Sequence, residues 1–385
     1  MTERLYDFDS YLKEFNANVI SCTKRQDGRF DTVLNKTAFF PEEGGQCCDT
    51  GFLNDTAVTY VSIAEDGTIT HVTDKELSGS VIGKIDFNKR FRNMQNHTGE
   101  HILSGLFYRN FCLNNVGFHL GETDITMDID GIVSPEQLKE IEFLANGIVA
   151  SNLEVTACYP DAETLKNLDY RSKKEINGDI RIVTIKGVDD CACCAPHVKS
   201  TGEIGLIKIL DAVKMRGGLR LNIKCGFDAL YDYNEKYQNV KEISRLLKAP
   251  QADTAKATQL LFEENKELKF KIGELKRELI LLRAESVELT DGNLCVFEDG
   301  MSGDELRLLA NAIKQKCGGV CAVMSPNSQN GYGYCLASEK VDLKENATLI
   351  NKALGGVGGG QKTMIFGNFS AEKQTIIKFF EESKF

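Results

Sequence analysis

Long apolar segments are missing from this sequence of 385 residues. No run of 18 apolar residues occurs, so the sequence predicts no membrane span. The first residues, MTERLYDFDSYLKEF, are charged and lack the apolar core of a secretory signal, which predicts a cytoplasmic protein. Without such a signal, the odd number of 13 cysteines favours reduced thiols, some of them metal ligands, over a disulfide framework.

An excess of positive charge is also missing. The net charge is −10, so the surface as a whole repels nucleic acid, and nucleic-acid binding would need a local basic face. Solvated surface charge is the simpler interpretation of each basic cluster taken alone. Three clusters are candidates for a basic face: Lys89, Arg90 and Arg92; Arg171, Lys173 and Lys174; and Lys214, Arg216 and Arg220.

Hydrophobic periodicity predicts an α+β protein with four parts. Residues 1–90 contain short β-branched and aromatic runs broken by Gly, Asp and Asn, typical of a small antiparallel β-barrel. Residues 91–228 combine amphipathic helices, one of them over 134–152, with strands around a Gly-rich turn, which predicts an α+β domain. Residues 229–290 are helical and charged. Residues 291–385 alternate helices and strands, as in a separate α/β domain.

A seven-residue repeat of apolar side chains runs through the helical part. The pattern predicts a coiled coil that joins two chains, or equally well a helical hairpin that packs on its own chain. We therefore expect either a homodimer or an intrachain hairpin. The repeat consists of Leu261, Leu268, Leu275 and Leu282, with Ile272 and Leu279 at the alternate positions.

The segment GGVGGGQKTMIFG, residues 355–367, is similar to a phosphate-binding loop. However, Gln361 stands between Gly360 and Lys362, where the G-x-x-x-x-G-K-[ST] pattern needs glycine directly before lysine. The sequence therefore does not predict a nucleoside triphosphatase.

Two histidines lie four residues apart in NHTGEHILSG. On a helix, His97 and His101 would share one face, about one turn apart. The pattern H-x-x-E-H is the inverted signature of zinc peptidases. Such peptidases commonly add a carboxylate ligand and keep one position open. Glu100 is interpreted as a carboxylate on the helix surface, although a general base beside a metal is the alternative.

A second segment, DDCACCAPHVKSTGEIG, carries further metal-binding side chains. It offers Cys191, Cys193, Cys194 and His197 within seven residues. Thiolate and imidazole are preferred zinc ligands, and three of the five histidines of the chain lie in these two segments. The two segments together predict a zinc site of three histidines and one cysteine.

These residues carry a family resemblance. HTGEHIL together with CCAPHVKSTGEIG resembles the H-x-x-x-H and C-x-x-x-H pair of the alanyl-tRNA synthetase editing domain and of its free-standing relatives, the AlaX editing proteins. Upstream, VLNKTAFFPEEGGQCCDTGFL is similar to the Gly-rich barrel segment of that family. Downstream, LLKAPQAD resembles its linker, and LGGVGGGQKTMIFG resembles the Gly-rich end of the synthetase's C-terminal domain. The likeness follows the same order along nearly the whole chain.

The resemblance implies a zinc site in the α+β editing domain. Its ligands fall on His97, His101, Cys193 and His197, because Cys193 lies four residues before the last histidine, as the family motif requires. The neighbouring cysteines remain substitutes. No segment resembles the large aminoacylation domain, so the resemblance implies a hydrolase that acts in trans. It would cleave the ester of tRNA(Ala) mischarged with serine and, as a second substrate, with glycine.

The resemblance also implies roles for four further residues. Thr37 sits where the family has a threonine that reads the serine hydroxyl, and Gln46 is the neighbouring polar candidate. Arg220 falls near a family arginine that would meet the tRNA end, and Lys362 is a candidate phosphate contact. A strand threonine, two turn residues and a strand-capping arginine are the structural alternatives.

Two other functions remain open. The first is a zinc peptidase, which rests on H-x-x-E-H alone. The second is a nucleic-acid-binding module with a structural zinc, because four protein ligands close a tetrahedral zinc and leave no position for water.

Overall fold

The computed structural model describes residues 2–172, 179–328 and 331–385. The chain forms two compact units, Met1–Glu242 and Ile243–Phe385. The finer division into four parts, with boundaries at 90, 228 and 290, stays a prediction. Lys173 and Lys174 of one basic cluster lie outside the described residues. Within the described ranges, no helix has the length and apolar character needed to cross a membrane.

The first unit begins with a closed barrel of six strands. Its strand order is β2-β3-β7-β6-β5-β8, and every neighbouring pair is antiparallel. Exposed and buried residues alternate strictly along the last strand, as expected where one face lines a core. The barrel and the α+β class agree with the sequence prediction. The barrel strands are β2 (Glu14–Lys24), β3 (Phe30–Leu34), β5 (Gly51–Leu53), β6 (Thr56–Ile63), β7 (Ile69–Thr73) and β8 (Ser80–Ile85), whereas β1 (Glu3–Arg4) and β4 (Lys36–Thr37) pair in a separate parallel sheet of two strands.

Helices and two antiparallel sheets complete this unit. One sheet has the order β14-β15-β10-β9 and the other β11-β12-β13. One continuous apolar core lies between these sheets and the first two helices. The elements are α1 (Phe87–Phe111), β9 (Asn115–Leu120), β10 (Ile125–Ile129), α2 (Pro135–Ala150), β11 (Val155–Cys158), α3 (Ala162–Asn167), β12 (Ile182–Ile185), β13 (Asp189–Ala192), β14 (Ile207–Met215), β15 (Gly218–Cys225) and α4 (Phe227–Leu247), which crosses the unit boundary.

Local sequence signals account for the ends of the first two helices. The Asp86 carboxylate accepts hydrogen bonds from the first-turn amides of Asn88 and Lys89 and so caps α1. Helix α1 ends where Cys112 adopts a left-handed conformation. The second helix has the predicted N-cap, Ser134, in a capping box, with Pro135 at its first position.

Helix α1 approaches the start of β13 unusually closely. A Cβ atom at Gly105 would lie 2.6 Å from the carbonyl oxygen of Val188 and 3.0 Å from Cβ of Asp189. Only glycine permits this approach. It brings the helix that carries two histidines against the strand that leads to the Cys-rich turn.

The second unit is an α/β structure around one five-stranded sheet. The sheet order is β16-β17-β18-β20-β19, and the Gly-rich segment forms the hairpin of its last two strands. The six apolar side chains of the heptad repeat lie on α5 and are each at least half exposed, so the homodimer and hairpin interpretations both stay predictions. The elements are α5 (Thr254–Glu285), β16 (Leu294–Phe297), α6 (Gly303–Ile313), β17 (Cys321–Pro326), β18 (Tyr332–Ala337), α7 (Leu343–Ala353), β19 (Gly356–Gln361), β20 (Met364–Phe369) and α8 (Lys373–Glu382).

A fully buried ion pair joins the first turn of α1 to the barrel. The side chains of Arg90 and Asp49 have no exposed surface, and the guanidinium Nε lies 3.0 Å from Oδ2 of the carboxylate. The same guanidinium donates to the carbonyl oxygens of Ser10 and Ala38, while Asp49 also accepts from the amide of Phe40. Every charged group of the pair is thus hydrogen-bonded, as burial of an ion pair requires. Arg90 is therefore not part of a basic surface cluster.

We expect Asp49→Ala to destabilise the first unit strongly, because it leaves an unpaired buried guanidinium. The expected loss in the free energy of unfolding is about 3–5 kcal/mol. Urea titration followed by circular dichroism measures this loss. Asp31→Ala is the matched control, since Asp31 pairs with Arg25 and both side chains are more than one-third exposed. It should cost no more than about 1 kcal/mol. Equal losses in the two variants would contradict the structural role of the buried pair.

Candidate metal centre and cavity

The structure brings the four predicted ligands together. Potential ligand atoms of His97, His101, Cys193 and His197 all lie within 4.8 Å of one another. The first two residues come from α1, and the other two come from the turn after β13. The three imidazoles are almost fully buried, and the thiol is partly buried.

The separations between these atoms fit a tetrahedral zinc site. The Sγ atom of Cys193 lies 3.3 Å from Nε2 of His197 and 3.6 Å from Nε2 of His97. Zinc bound to sulfur and nitrogen at their usual distances would separate these atoms by about 3.6 Å. The donor set therefore fits zinc in both chemistry and spacing.

Each histidine also has a polar partner at its other ring nitrogen. Nδ1 of His97 lies 2.7 Å from Oε1 of Gln46, and Nδ1 of His197 lies 3.0 Å from Oγ1 of Thr98. Nδ1 of His101 lies 3.1 Å from Oδ2 of Asp189. Metal-binding histidines are typically oriented by such outer partners, which leave Nε2 for the metal.

The electrostatics of the cluster favour a thiolate. Burial raises the pKa of the Cys193 thiol, but the charges of His97 and His197 and hydrogen bonds from the imidazoles bring it well below the ordinary value. Burial lowers the pKa of His197 to about 3, against the opposing effect of the thiolate. Burial also lowers the pKa of His101, but the sulfur of Cys191, the Asp189 carboxylate and the sulfur of Cys193 raise it well above the ordinary value. The thiolate and the neutral His197 are the states that metal binding requires, whereas His101 would release a proton on binding.

A buried arginine shapes the Cys-rich turn. The Arg181 guanidinium donates to the carbonyl oxygens of Cys193 and Ala195, at 3.0 and 2.9 Å. In return, its carbonyl oxygen accepts from the Cys193 amide at 3.0 Å. These contacts hold the backbone of the turn between the two ligands that it carries.

A cavity of about 690 Å³ opens beside the cluster. Its size is within the range of small-molecule sites. Three of the four candidate ligands line it, and His197 does not. Its lining also contains the turn at Gly44 and Gly45, both with positive φ, as a two-residue hairpin turn requires. A Cβ at Gly45 would lie 2.2 Å from the carbonyl oxygen of Phe118, so this wall admits no side chain there.

The two residues predicted to read the substrate occupy different places. Gln46 is buried beside His97 and, like Thr37, does not line the cavity; among the described residues its Nε2 has no hydrogen-bond partner. Thr37 is buried inside the barrel and is not among the residues that line the cavity. Its hydroxyl lies 2.9 Å from Nε2 of His71 and accepts from the amide of Phe39. Burial lowers the pKa of His71 to about 4, so this histidine is neutral. Its Nδ1 donates to the carbonyl oxygen of Thr32, which leaves Nε2 to accept from the Thr37 hydroxyl.

The interpretation of Glu100 as an exposed helix carboxylate is wrong. The side chain is 1% exposed. Its carboxylate accepts hydrogen bonds from Ser104, at 2.6 Å, and from Asn115. A helix residue next to His101 faces the interior here because α1 is buried on most of its circumference.

The remaining candidates lie outside the four-ligand cluster. Cys191 belongs to a second group of potential ligands, with His101 and Asp189. Arg220 lies on β15 and forms a bidentate pair with Asp128 of the neighbouring strand, at 2.7 Å for both bonds. Lys362 lies in the turn between β19 and β20, with its side chain 75% exposed and its ammonium 3.6 Å from Asp342. Asp189, Arg181 and His71 had no recognisable pattern in the sequence. Arg171 was a candidate only for a basic surface cluster, but its side chain is 12% exposed and paired with Asp189.

Comparisons with known proteins agree on one family. A family model described as the threonyl and alanyl tRNA synthetase second additional domain matches residues 180–221, which include the Cys-rich turn. The alanine–tRNA ligase of Pyrococcus abyssi is 31% identical over 390 residues, covering 95% of this chain and 42% of the ligase. The chain therefore spans less than half the length of such ligases.

A relative of matching length is the alanyl-tRNA editing protein AlaX-L of Pyrococcus horikoshii. It is 27% identical over 400 residues, which cover 98% of this chain and 96% of the relative. The chain also matches the crystal structure of the C-Ala domain from Aquifex aeolicus alanyl-tRNA synthetase, over 25% of this chain and 94% of that domain. The sequence identity is 21% and the TM-score is 0.21. Together, the matching domain and the similarity to this relative over nearly its whole length support an AlaX-type alanyl-tRNA editing protein.

Proposed function

We propose that the chain is an editing hydrolase, acting in trans, that deacylates tRNA(Ala) mischarged with serine and, as a second substrate, with glycine. The observation that supports the proposal best is the convergence of three imidazoles and a thiol beside a cavity. The near full-length similarity to an alanyl-tRNA editing protein supports the same substrate.

The metal in this proposal is Zn²⁺, held by His97, His101, Cys193 and His197. When bound, zinc would polarise the ester carbonyl and lower the pKa of a water toward about 7. Because His197 does not line the cavity, the ester would approach from the side bordered by the other three ligands. The walls of the cavity would hold the acyl group.

Selection of serine over alanine depends on one hydroxyl. A site that hydrogen-bonds a substrate hydroxyl rejects the analogue that lacks it, because its own buried polar group then stays unpaired. Gln46 supports this role, since its Nε2 is buried without a partner in the described part of the chain and its Oε1 contacts a cavity-lining histidine. The Thr37 hydroxyl is already bonded to His71 and Phe39, and its direct contact with the substrate stays a prediction.

Two observations bear on the other functions. The thiol among the four potential ligands, in place of the carboxylate that zinc peptidases commonly use, favours ester editing over peptide cleavage. Four protein ligands favour the nucleic-acid-binding module with a structural zinc, because they close a tetrahedral site. The deacylation assay below separates this module from the hydrolase.

We expect Cys193→Ala to remove the metal and the activity together. Wild-type protein should bind one zinc per chain and deacylate seryl-tRNA(Ala), and chelation should lower the rate by at least about 100-fold. The variant should match the chelated protein in both metal content and rate. Cys158→Ala, which alters an exposed cysteine, is the control and should match the wild type.

Two outcomes of this assay would contradict the proposal. If the zinc-loaded wild type left seryl-tRNA(Ala) intact, the hydrolase would be lost and the structural zinc supported. If Cys193→Ala kept its zinc and its rate, the ligand set would be wrong.

We expect Gln46→Met to weaken discrimination, because it removes the unpaired amide without a large change in size. The ratio of kcat/KM for seryl- over alanyl-tRNA(Ala) should fall by about 10- to 100-fold. Metal content must be measured in parallel, since Gln46 also contacts His97. Thr37→Val is the comparison and should change the ratio by less than about threefold. The opposite ranking of the two variants would make Thr37 the reader.

Binding of tRNA would use phosphate contacts, and Lys362 and Arg220 are proposed to supply two of them. Arg220 is already paired with Asp128, so Lys362 gives the clearer test. Lys362→Ala should weaken binding of tRNA(Ala) and reduce the salt dependence of log K by about one. The control is Lys378→Ala, because Lys378 is equally exposed at 73%. Equal slopes for both variants would remove Lys362 from the proposed interface.

A further inference from the structure

Two overlapping groups of potential ligands share His101. The second group contains Asp189 and Cys191 in place of the other three ligands. Both oxygens of the Asp189 carboxylate accept hydrogen bonds from the Arg171 guanidinium. Nε donates to Oδ1 and Nη2 donates to Oδ2, each at a distance of 2.7 Å. A bidentate arginine places a positive charge where a second cation would need to lie. Asp189 therefore belongs outside the first set of ligands rather than in a second metal site.

The outer partners of the three histidines differ in charge. Gln46 offers an amide oxygen to His97 and Thr98 a hydroxyl to His197, whereas Asp189 offers a carboxylate to His101. The Asp189 carboxylate lies 3.1 Å from Nδ1 of His101, and among the described residues this nitrogen has no regular hydrogen bond, so the carboxylate contact is its polar environment. The Asp189 side chain is 2% exposed, so solvent does not weaken this contact.

The backbone sets the position of this carboxylate. Asp189 is the first residue of β13, and Gly105 lets α1 approach it at contact distance. Arg171 lies beside the same strand, where its amide donates to the Asp190 carbonyl and its carbonyl accepts from the Ala192 amide. The helix, the strand and the arginine together hold the carboxylate within 3.1 Å of the imidazole.

We propose that Asp189, held by Arg171, is the positioning residue of the metal centre. It accepts the proton on Nδ1 of His101, which fixes that tautomer and leaves Nε2 for the metal. The inference rests on the proposed zinc site. It adds that one ligand depends on an arginine–carboxylate pair, whereas the other two histidines depend on neutral groups.

The test compares Asp189→Asn with Asp190→Asn in the full-length chain. Zinc affinity is measured by competition with a chromophoric chelator, and the visible absorption of the Co²⁺ form reports the geometry of the ligands. Asp189→Asn should bind zinc about 10- to 100-fold more weakly and alter the Co²⁺ spectrum. Asp190→Asn is the matched control, because its carboxylate accepts from Thr184 and faces no histidine ligand. It should match the wild type in both measurements.

A second variant keeps the test informative if Asp189→Asn does not fold. Arg171→Lys keeps the charge but loses the bidentate geometry, and it should lower zinc affinity by a smaller factor of about 3–10. The inference would be overturned if Asp189→Asn had the zinc affinity and the Co²⁺ spectrum of the wild type. If Asp189→Asn does not fold, the same result in Arg171→Lys would overturn it. Failure of the proposed function looks different, because then the wild type itself would bind no zinc or would leave seryl-tRNA(Ala) intact.

Discussion

Burial of several nitrogen and sulfur atoms in one place is the constraint on which this site depends. The imidazole of His197 lies with its ring centre 4.9 Å from that of His97 and 4.6 Å from that of His101, with little access to water. Buried polar groups cost free energy unless each one is paired. The outward-facing nitrogens have protein partners, whereas the inward-facing nitrogens converge on one thiolate. A divalent cation is the partner that satisfies all of them at once, which is why we propose zinc.

The position of the site depends on how α1 is anchored. At its first turn, the buried guanidinium of Arg90 ties the helix to the barrel through Asp49. Near its middle, Gly105 lets the helix meet the strand that leads to the Cys-rich turn. The barrel side of the unit contributes Gln46 and the Gly-rich wall of the cavity. The same helix therefore contacts both the barrel side of the site and the Cys-rich turn. Substitutions at these anchors would act on the site without touching a ligand.

Much of the local architecture could be predicted because its causes are local. Ser134 and Pro135 marked the start of a helix through capping and a fixed φ angle, and the structure has both. Short β-branched runs indicated the barrel, which the structure closes with six strands. Glu100 was misjudged because the rule that neighbouring helix residues point in different directions assumes a helix with one exposed face. Here α1 is surrounded by sheets and by the turn, and the carboxylate meets Ser104 and Asn115.

The sequence by itself determined which side chains could serve as ligands, since histidines four apart on a helix and a cluster of cysteines carry their chemistry in their spacing. It also determined the family likeness, which depends on the order of short motifs. Only the tertiary structure decided which polar groups meet these ligands. Gln46 and His97 are 51 positions apart, and Thr98 and His197 are 99 apart. Hydrophobic periodicity reports which face of an element is buried but not which residue it meets, so the roles of Asp189, Arg171 and Arg181 could be found only in the folded chain.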